Sequence, residues 1–132
     1  MGVKPLPANV SDEQLIDFVD QWAALLEQEE YDVAFAFTGH MEHFHWSVEM
    51  IRAVIKSYDE ADPEQIVTVE GVSDHIAQRK SVSRHAVNPH SYFGEIWYDL
   101  NIDGKTSDLT AIFGLMSVDG GVTVNLQSIH VM

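Results

Sequence analysis

Apolar residues along the first half of the chain recur at helical spacing. Leu15, Phe18, Val19, Trp22, Leu25 and Leu26 form one stripe, with Asp17, Asp20 and Glu27 facing away, which predicts a helix over about 12–28. Ser11 and Gln14 have the spacing of a capping box, and Val10 and Leu15 stand at the staple positions around it. Asp12 and Glu13 fall in the first turn, where the positive end of the macrodipole favours acids. Tyr31, Ala34, Phe35 and Phe37 predict a short second helix that Gly39 stops. A third helix is expected after Ser47, with Val48, Ile51, Val54, Ile55 and Tyr58 on its buried side. Arg52 and Lys56 lie on another face, and Trp46 is placed to staple onto Ile51.

After "DEADPEQ" the period changes to two. "IVTVEGV" predicts a strand near 65–71, and "QRKSVSRHAV" a more polar one suited to a sheet edge. "NPHS" is a turn. "YFGEIWYDLNI", "TSDLTAIFGLMSV" and "VTVNLQSIHVM" then predict three long strands, joined by turns at Asp103-Gly104 and at "DGG", 119–121. Leu109, Ala111, Phe113 and Leu115 share one face. So do Val122, Val124 and Leu126, with Thr123, Asn125 and Gln127 pointing outward. Helices first and a one-sided apolar sheet afterwards predict a single α+β domain over 1–132. It would comprise an extended segment 1–10, a helical half 11–60 and a sheet half 65–132. The N-terminal helices would pack on a curled, mostly antiparallel sheet of four to five strands.

Three stretches carry a resemblance: "FVDQWAALLEQEEYDVAFAF", "WSVEMIRAVIKSY" and "SDLTAIFGLMSVDGGVTVNLQSIHVM", together just under half the chain. In layout they resemble the cystatin-like cone of the nuclear transport factor two superfamily, and small bacterial proteins within it. These are packing and capping motifs, so the resemblance speaks to fold. It implies a long helix across the concave face of the sheet. The superfamily includes ketosteroid-isomerase-like enzymes, dehydratases, hydrolases, non-catalytic subunits and binding modules. Some small acidic bacterial proteins of this general size are immunity partners of toxins. A fold with so many tenants does not choose among them.

Charge narrows the classes. Lys and Arg total 7 against 21 Asp and Glu, a net charge of −14. Residues 1–64 hold 14 acids and 3 bases, so the helical half is the acidic one. Nucleic acid and anionic membranes would be repelled. With no cysteine, disulfides, thiolate catalysis and cysteine-ligated metals are excluded. The start of the chain has no apolar run of signal-peptide length, Leu6 does not suit a myristoylation signal, and no stretch is long enough to span a bilayer. The expectation is a cytoplasmic protein.

Four groups of residues could carry chemistry. "GHMEHFHW" places His40, His43 and His45 within six positions, with Glu42 beside them. Imidazoles bind zinc and similar divalent metals, but this spacing matches no metal motif, and no cofactor is predicted. If the segment is extended, Phe44 and Trp46 face the core while His43 and His45 face away together. Near pH 6.5 such a cluster would also charge.

His130 keeps the phase of Val122, Val124 and Leu126 and so points into the cone, unless a bulge reverses it. Glu95 and Asp99 share a face with Phe93 and Trp97. Either would be a desolvated base if that face were inward. The alternation of Ile96, Tyr98, Leu100 and Ile102 favours the other face inside, with both acids solvated. Arg79, Lys80 and Arg84 suit a charged edge strand, an anion site or a contact with the acidic half of another copy.

The leading functional expectation is a non-catalytic module that binds a protein partner through its acidic helical face. The alternative is a pocket for a small apolar ligand, or an isomerase- or dehydratase-like enzyme, lined by Tyr31, Trp97, Tyr98, Phe113 and His130. Metal binding at the histidine segment is the third. By analogy with the superfamily, a homodimer through the sheet face is also expected.

Overall fold

The computed structural model describes residues 5–41, 45–72 and 77–131. Three helices pack on a curled sheet that forms a half-barrel, an α+β cone. In chain order the elements are β1 (Leu6–Pro7), α1 (Asp12–Glu27), α2 (Tyr31–Phe37), β2 (Gly39–His40), α3 (Val48–Lys56), β3 (Val67–Thr68), β4 (Lys80–Arg84), β5 (Tyr92–Ile102), β6 (Lys105–Val118) and β7 (Gly121–Val131). The sheet has seven strands rather than the four or five expected. Its long strands are where the alternation put them. The additional ones, β1 and β2, are two-residue pieces too short to leave a periodic signature. The strand expected near 65–71 shrinks to β3. None of the helices among the described residues is long and apolar enough to cross a membrane.

Local chemistry sets the element ends. Ser11 Oγ accepts the Gln14 N–H at 3.1 Å while Gln14 Oε1 accepts the Ser11 N–H at 2.9 Å, completing the capping box. Ser47 caps α3 by accepting the Met50 N–H at 3.1 Å. Asp103 and Gly104 both have positive φ, 50° and 80°, as do Asp119 and Gly120. That is the backbone of a two-residue hairpin whose twist matches the flanking strands.

The sheet runs β1-β7-β6-β5-β3, with β4 also on β5 and β2 parallel to β7. Its concave face carries Ile96, Tyr98, Leu100, Leu109, Phe113, Leu115, Val124 and Leu126, all at most 1% exposed. Onto it α1 lowers Leu15, Val19, Trp22 and Leu26, none of them exposed to solvent. Trp22 meets Phe113 edge to face at 5.0 Å, and Phe18 stacks on Phe37 at 4.5 Å. Each such buried side chain contributes about 1.5–3 kcal/mol by its removal from water.

The charged residues of the edge strand are tied to the acidic half of the same chain. Lys80 Nζ bonds Asp20 at 2.9 Å, and Arg84 Nε bonds Asp12 at 2.7 Å. Both bases face inward and clamp β4 to α1.

Candidate functional site

Residues 98 and 99 turn to opposite faces of β5, and each meets an aspartate network. On the concave side Tyr98 is buried and its hydroxyl donates to Asp20 Oδ1 at 2.5 Å, the same oxygen that Lys80 reaches. Burial, reinforced by the adjacent Asp20 carboxylate, drives the Tyr98 phenol well above its ordinary range. On the convex side Asp99 is 6% exposed. It takes the Arg79 N–H at 2.8 Å, the Thr110 hydroxyl at 2.8 Å and the Arg79 guanidinium at 3.4 Å. Gln78 bonds its carbonyl at 2.7 Å, and Arg79 lies 4.8 Å over the Trp97 ring.

The expectation that an outward Asp99 would be solvated is therefore corrected. Its strand faces as the alternation implied, but the 78–80 segment covers it. Both Asp99 oxygens are engaged, as in a structural carboxylate. Glu95, two residues earlier on the same face, is half-buried and accepts the Tyr92 hydroxyl at 3.0 Å. Burial and that carboxylate push the Tyr92 phenol up to about 12.

His130 does not point into the cone. Phe113 pairs with Leu126 but Ile112 pairs with Ser128, so Gln127 is an extra residue in β7. Beyond this bulge the phase inverts: Ile129 is buried, and His130 is exposed with Nδ1 at 3.1 Å from Ser128 Oγ. The five residues expected to line one pocket are thus split by the sheet. Tyr31, Tyr98 and Phe113 are buried in the core, whereas Trp97 and His130 lie on the convex side.

Of the histidine segment, Glu42, His43 and Phe44 lie outside the described residues. His40 is part of the packing. Its Nε2 is 2.8 Å from the Phe35 carbonyl oxygen and its ring stacks on Phe35 at 4.1 Å. Trp46 packs at the core margin and donates Nε1–H to Gln127 O at 3.0 Å, while His45 is exposed. Among the described residues no group of three His, Asp or Glu side chains is placed to hold a metal ion.

Two surfaces remain that are not consumed by packing. One is the helical layer. Glu13 and Asp17 on α1, Glu30 and Asp32 at α2, Glu49 on α3 and Glu60 and Glu64 beyond it are exposed. Arg52 is the one exposed Lys or Arg between 11 and 64. Val33 and Met50, 45% and 47% exposed, stand among these acids. Ala36 and Ala53, one turn on from each, are exposed too.

The other surface is a cleft of about 390 Å³ at one end of the cone, lined by Tyr58, Asp59, Asp62, Gln65, Ile102, Asp103, Lys105, Thr106 and Ser107. It lies between the loop after α3 and the β5–β6 hairpin. Asp103 accepts the Ile66 N–H at 3.0 Å, Asp59 accepts the Ala61 N–H at 3.0 Å, and Tyr58 donates to Asp108 at 2.6 Å. The Asp62 and Asp103 carboxyls are hydrogen-bonded to each other. Through that bond Asp62 is held above the usual carboxylate range, while the same bond and the Ile66 N–H hold Asp103 below it. None of the residues proposed as site candidates from the sequence lines this cleft. The acidic run before the strand at 67 was the one local hint of it.

No protein-family model matches the chain, and neither a curated protein nor a solved structure matches it.

Proposed function

We propose that this protein is a non-catalytic binding module that docks a basic protein partner on its helical layer. The observation that carries the reading is the exposed acidic field of α1–α3 and the following loop, with Arg52 its one exposed base and Val33 and Met50 within it. Only Asp12 and Glu29 among the exposed acids of this layer are neutralised by a described ion pair, with Arg84 and Lys56. Charge of one sign speeds encounter with an opposite field, and exposed apolar side chains supply the burial that holds a partner. Three helices on a curled sheet also support placing the chain with the cystatin-like cones, a fold that hosts binding modules as well as enzymes.

The test is a pull-down from native lysate with the intact protein and with a variant carrying Asp17→Asn, Asp32→Asn and Glu49→Gln. Unchanged circular dichroism would establish that the variant folds. A basic protein retained by the first, lost by the second and released by salt is the expected result. Identical recovery by both would overturn the reading.

A further inference from the structure

We propose that the cleft between the loop after α3 and the β5–β6 hairpin binds a primary alkylammonium group, with its chain lying along the cleft. This does not rest on the docking of a partner on the helical layer. A volume of about 390 Å³ is within the range of small-molecule sites. The walls are rich in acceptors. Asp59 and Asp62 come from the loop, and Asp103 comes from the hairpin turn. Asp62 and Asp103 meet as carboxyl against carboxyl, an arrangement that a cation placed between them would relieve.

Gln65 supplies an independent observation. It lines the cleft wall and is 1% exposed. Its Nε2 donates to the carbonyls of Lys56 and Asp59 at 2.9 and 3.0 Å, which fixes the orientation of the amide. Its Oε1 is then the edge left over, buried and without a hydrogen-bond partner among the described residues. A buried acceptor with no donor is costly, and a ligand N–H at the wall would satisfy it.

An ammonium has three donors and no acceptor, and so complements walls of this kind. A metal ion is the poorer fit. Among the described residues the carboxylates do not converge as a group of three on one point. Spread along a cleft, they suit a flexible chain with a charged end or ends. Ile102 and the Tyr58 ring supply apolar contact for its methylenes. Two bases oppose the ligand. Lys105 lines the cleft, and Lys56, held by Glu29 and the Gln65 carbonyl, acts on Asp103 from behind. Asp108 is engaged by Tyr58. Because a cation must displace the proton shared by Asp62 and Asp103, affinity should rise as pH rises through the Asp62 titration.

The ligand could be a free amine or the lysine side chain of another molecule. The experiment is an NMR titration of the intact protein at low salt with 1,4-diaminobutane, spermidine, a single-lysine peptide, 1,4-butanediol and magnesium ion as separate probes. Saturable shifts at the Gln65 side-chain amide and around Asp103 are expected for the amines and not for the diol. Asp62→Asn should weaken amine binding by about tenfold. Asp62 is on the surface, so this variant keeps the fold. Asp103→Asn should act in the same direction, while Asp17→Asn on the helical layer leaves amine binding unchanged. Tighter binding of the free amines identifies a small-molecule ligand, and tighter binding of the peptide identifies a lysine side chain. No saturable shift at millimolar amine, equal affinity in the Asp62 and Asp103 variants, or magnesium displacing the amine at lower concentration would each overturn the proposal.

Discussion

Asp99 and Asp103 lie on the same arm of one hairpin, and the fold treats them in opposite ways. Asp99 is 6% exposed and meets only donors: two groups of Arg79 and the hydroxyl of Thr110. Asp103 is exposed, accepts one backbone N–H, and has another carboxyl for its side-chain partner. Isolated from its surroundings, the buried acid would be the natural choice for chemistry, since desolvation is what makes an unusual carboxylate. Its neighbours make it the conventional one. Asp99 is matched donor for acceptor and holds the 78–80 segment against the sheet, whereas Asp103 and Asp62 present unmatched acceptors at an open cleft. The difference between them lies in partner chemistry more than in depth.

The most severe way to break this contrast is to remove the matched acid. Asp99→Ala leaves the Arg79 N–H and the Thr110 hydroxyl without their acceptor, and should cost about 2–4 kcal/mol in urea unfolding. Asp99→Asn should cost less, about 1–3 kcal/mol, because one oxygen still accepts while the new NH2 faces a donor. A near-neutral Asp99→Ala would show that the network is not structural, and would return Asp99 to the list of functional acids.

Next in size is the network across the strand. Tyr98→Phe removes the phenol that donates to Asp20 but keeps the ring in the core, and should cost about 1–2 kcal/mol. It should also alter the pH profile. A phenol whose folded pKa is raised contributes stability that is fully present below its unfolded value, about 10, and is lost as pH rises above that. Tyr92, pushed up to about 12, and Tyr58, raised by burial and by Asp108, act with the same sign. The urea midpoint of the intact protein should therefore fall above about pH 10, and the fall should be shallower in Tyr98→Phe. Equal profiles would mean that Tyr98 ionises as readily folded as unfolded.

What the sequence made legible here is what neighbours in the chain decide. Ser11 with Gln14, Ser47, Asp103-Gly104 and Asp119-Gly120 act within a few residues of themselves, and each does in the fold what its pattern implied. The concave faces of β5 and β6 follow alternation, as does β7 up to Leu126. The site residues were less legible because distant segments decide them. His130 depends on whether β7 gains a residue against β6, and one extra residue at Gln127 reverses every side chain beyond it. Asp99 depends on a segment twenty residues earlier folding over it. The Asp62–Asp103 pair joins a loop to a hairpin turn, and Gln65 is buried by packing that no local periodicity records. Side-chain direction was readable from pattern; what lay over each face was not.

The smallest expected effect is the sharpest test of the unmatched pair, because its two members should respond with opposite signs. Asp62 has its folded pKa raised, so its contribution is present below the unfolded value near 3.9 and is lost as pH rises through the folded value. At neutral pH it is an ionised acid facing another. Asp62→Asn should therefore raise the melting temperature slightly at pH 7, by about a degree or two. Asp103 has its folded pKa lowered, so its contribution is present at neutral pH and is lost as pH falls through the folded value. Asp103→Asn keeps a residue that tolerates the positive φ of the hairpin turn, and it keeps an oxygen for the Ile66 N–H. It should therefore lower the melting temperature by a similar amount through the lost charge alone. The two effects should shrink together as the buffer is taken down to pH 3, where both carboxyls are largely protonated in the unfolded chain. Scanning calorimetry of both variants at pH 7 and pH 3 would resolve the signs. Two changes of the same sign at pH 7 would mean that the carboxyls do not share a proton, and that the cleft has no unmatched pair for a cation to relieve.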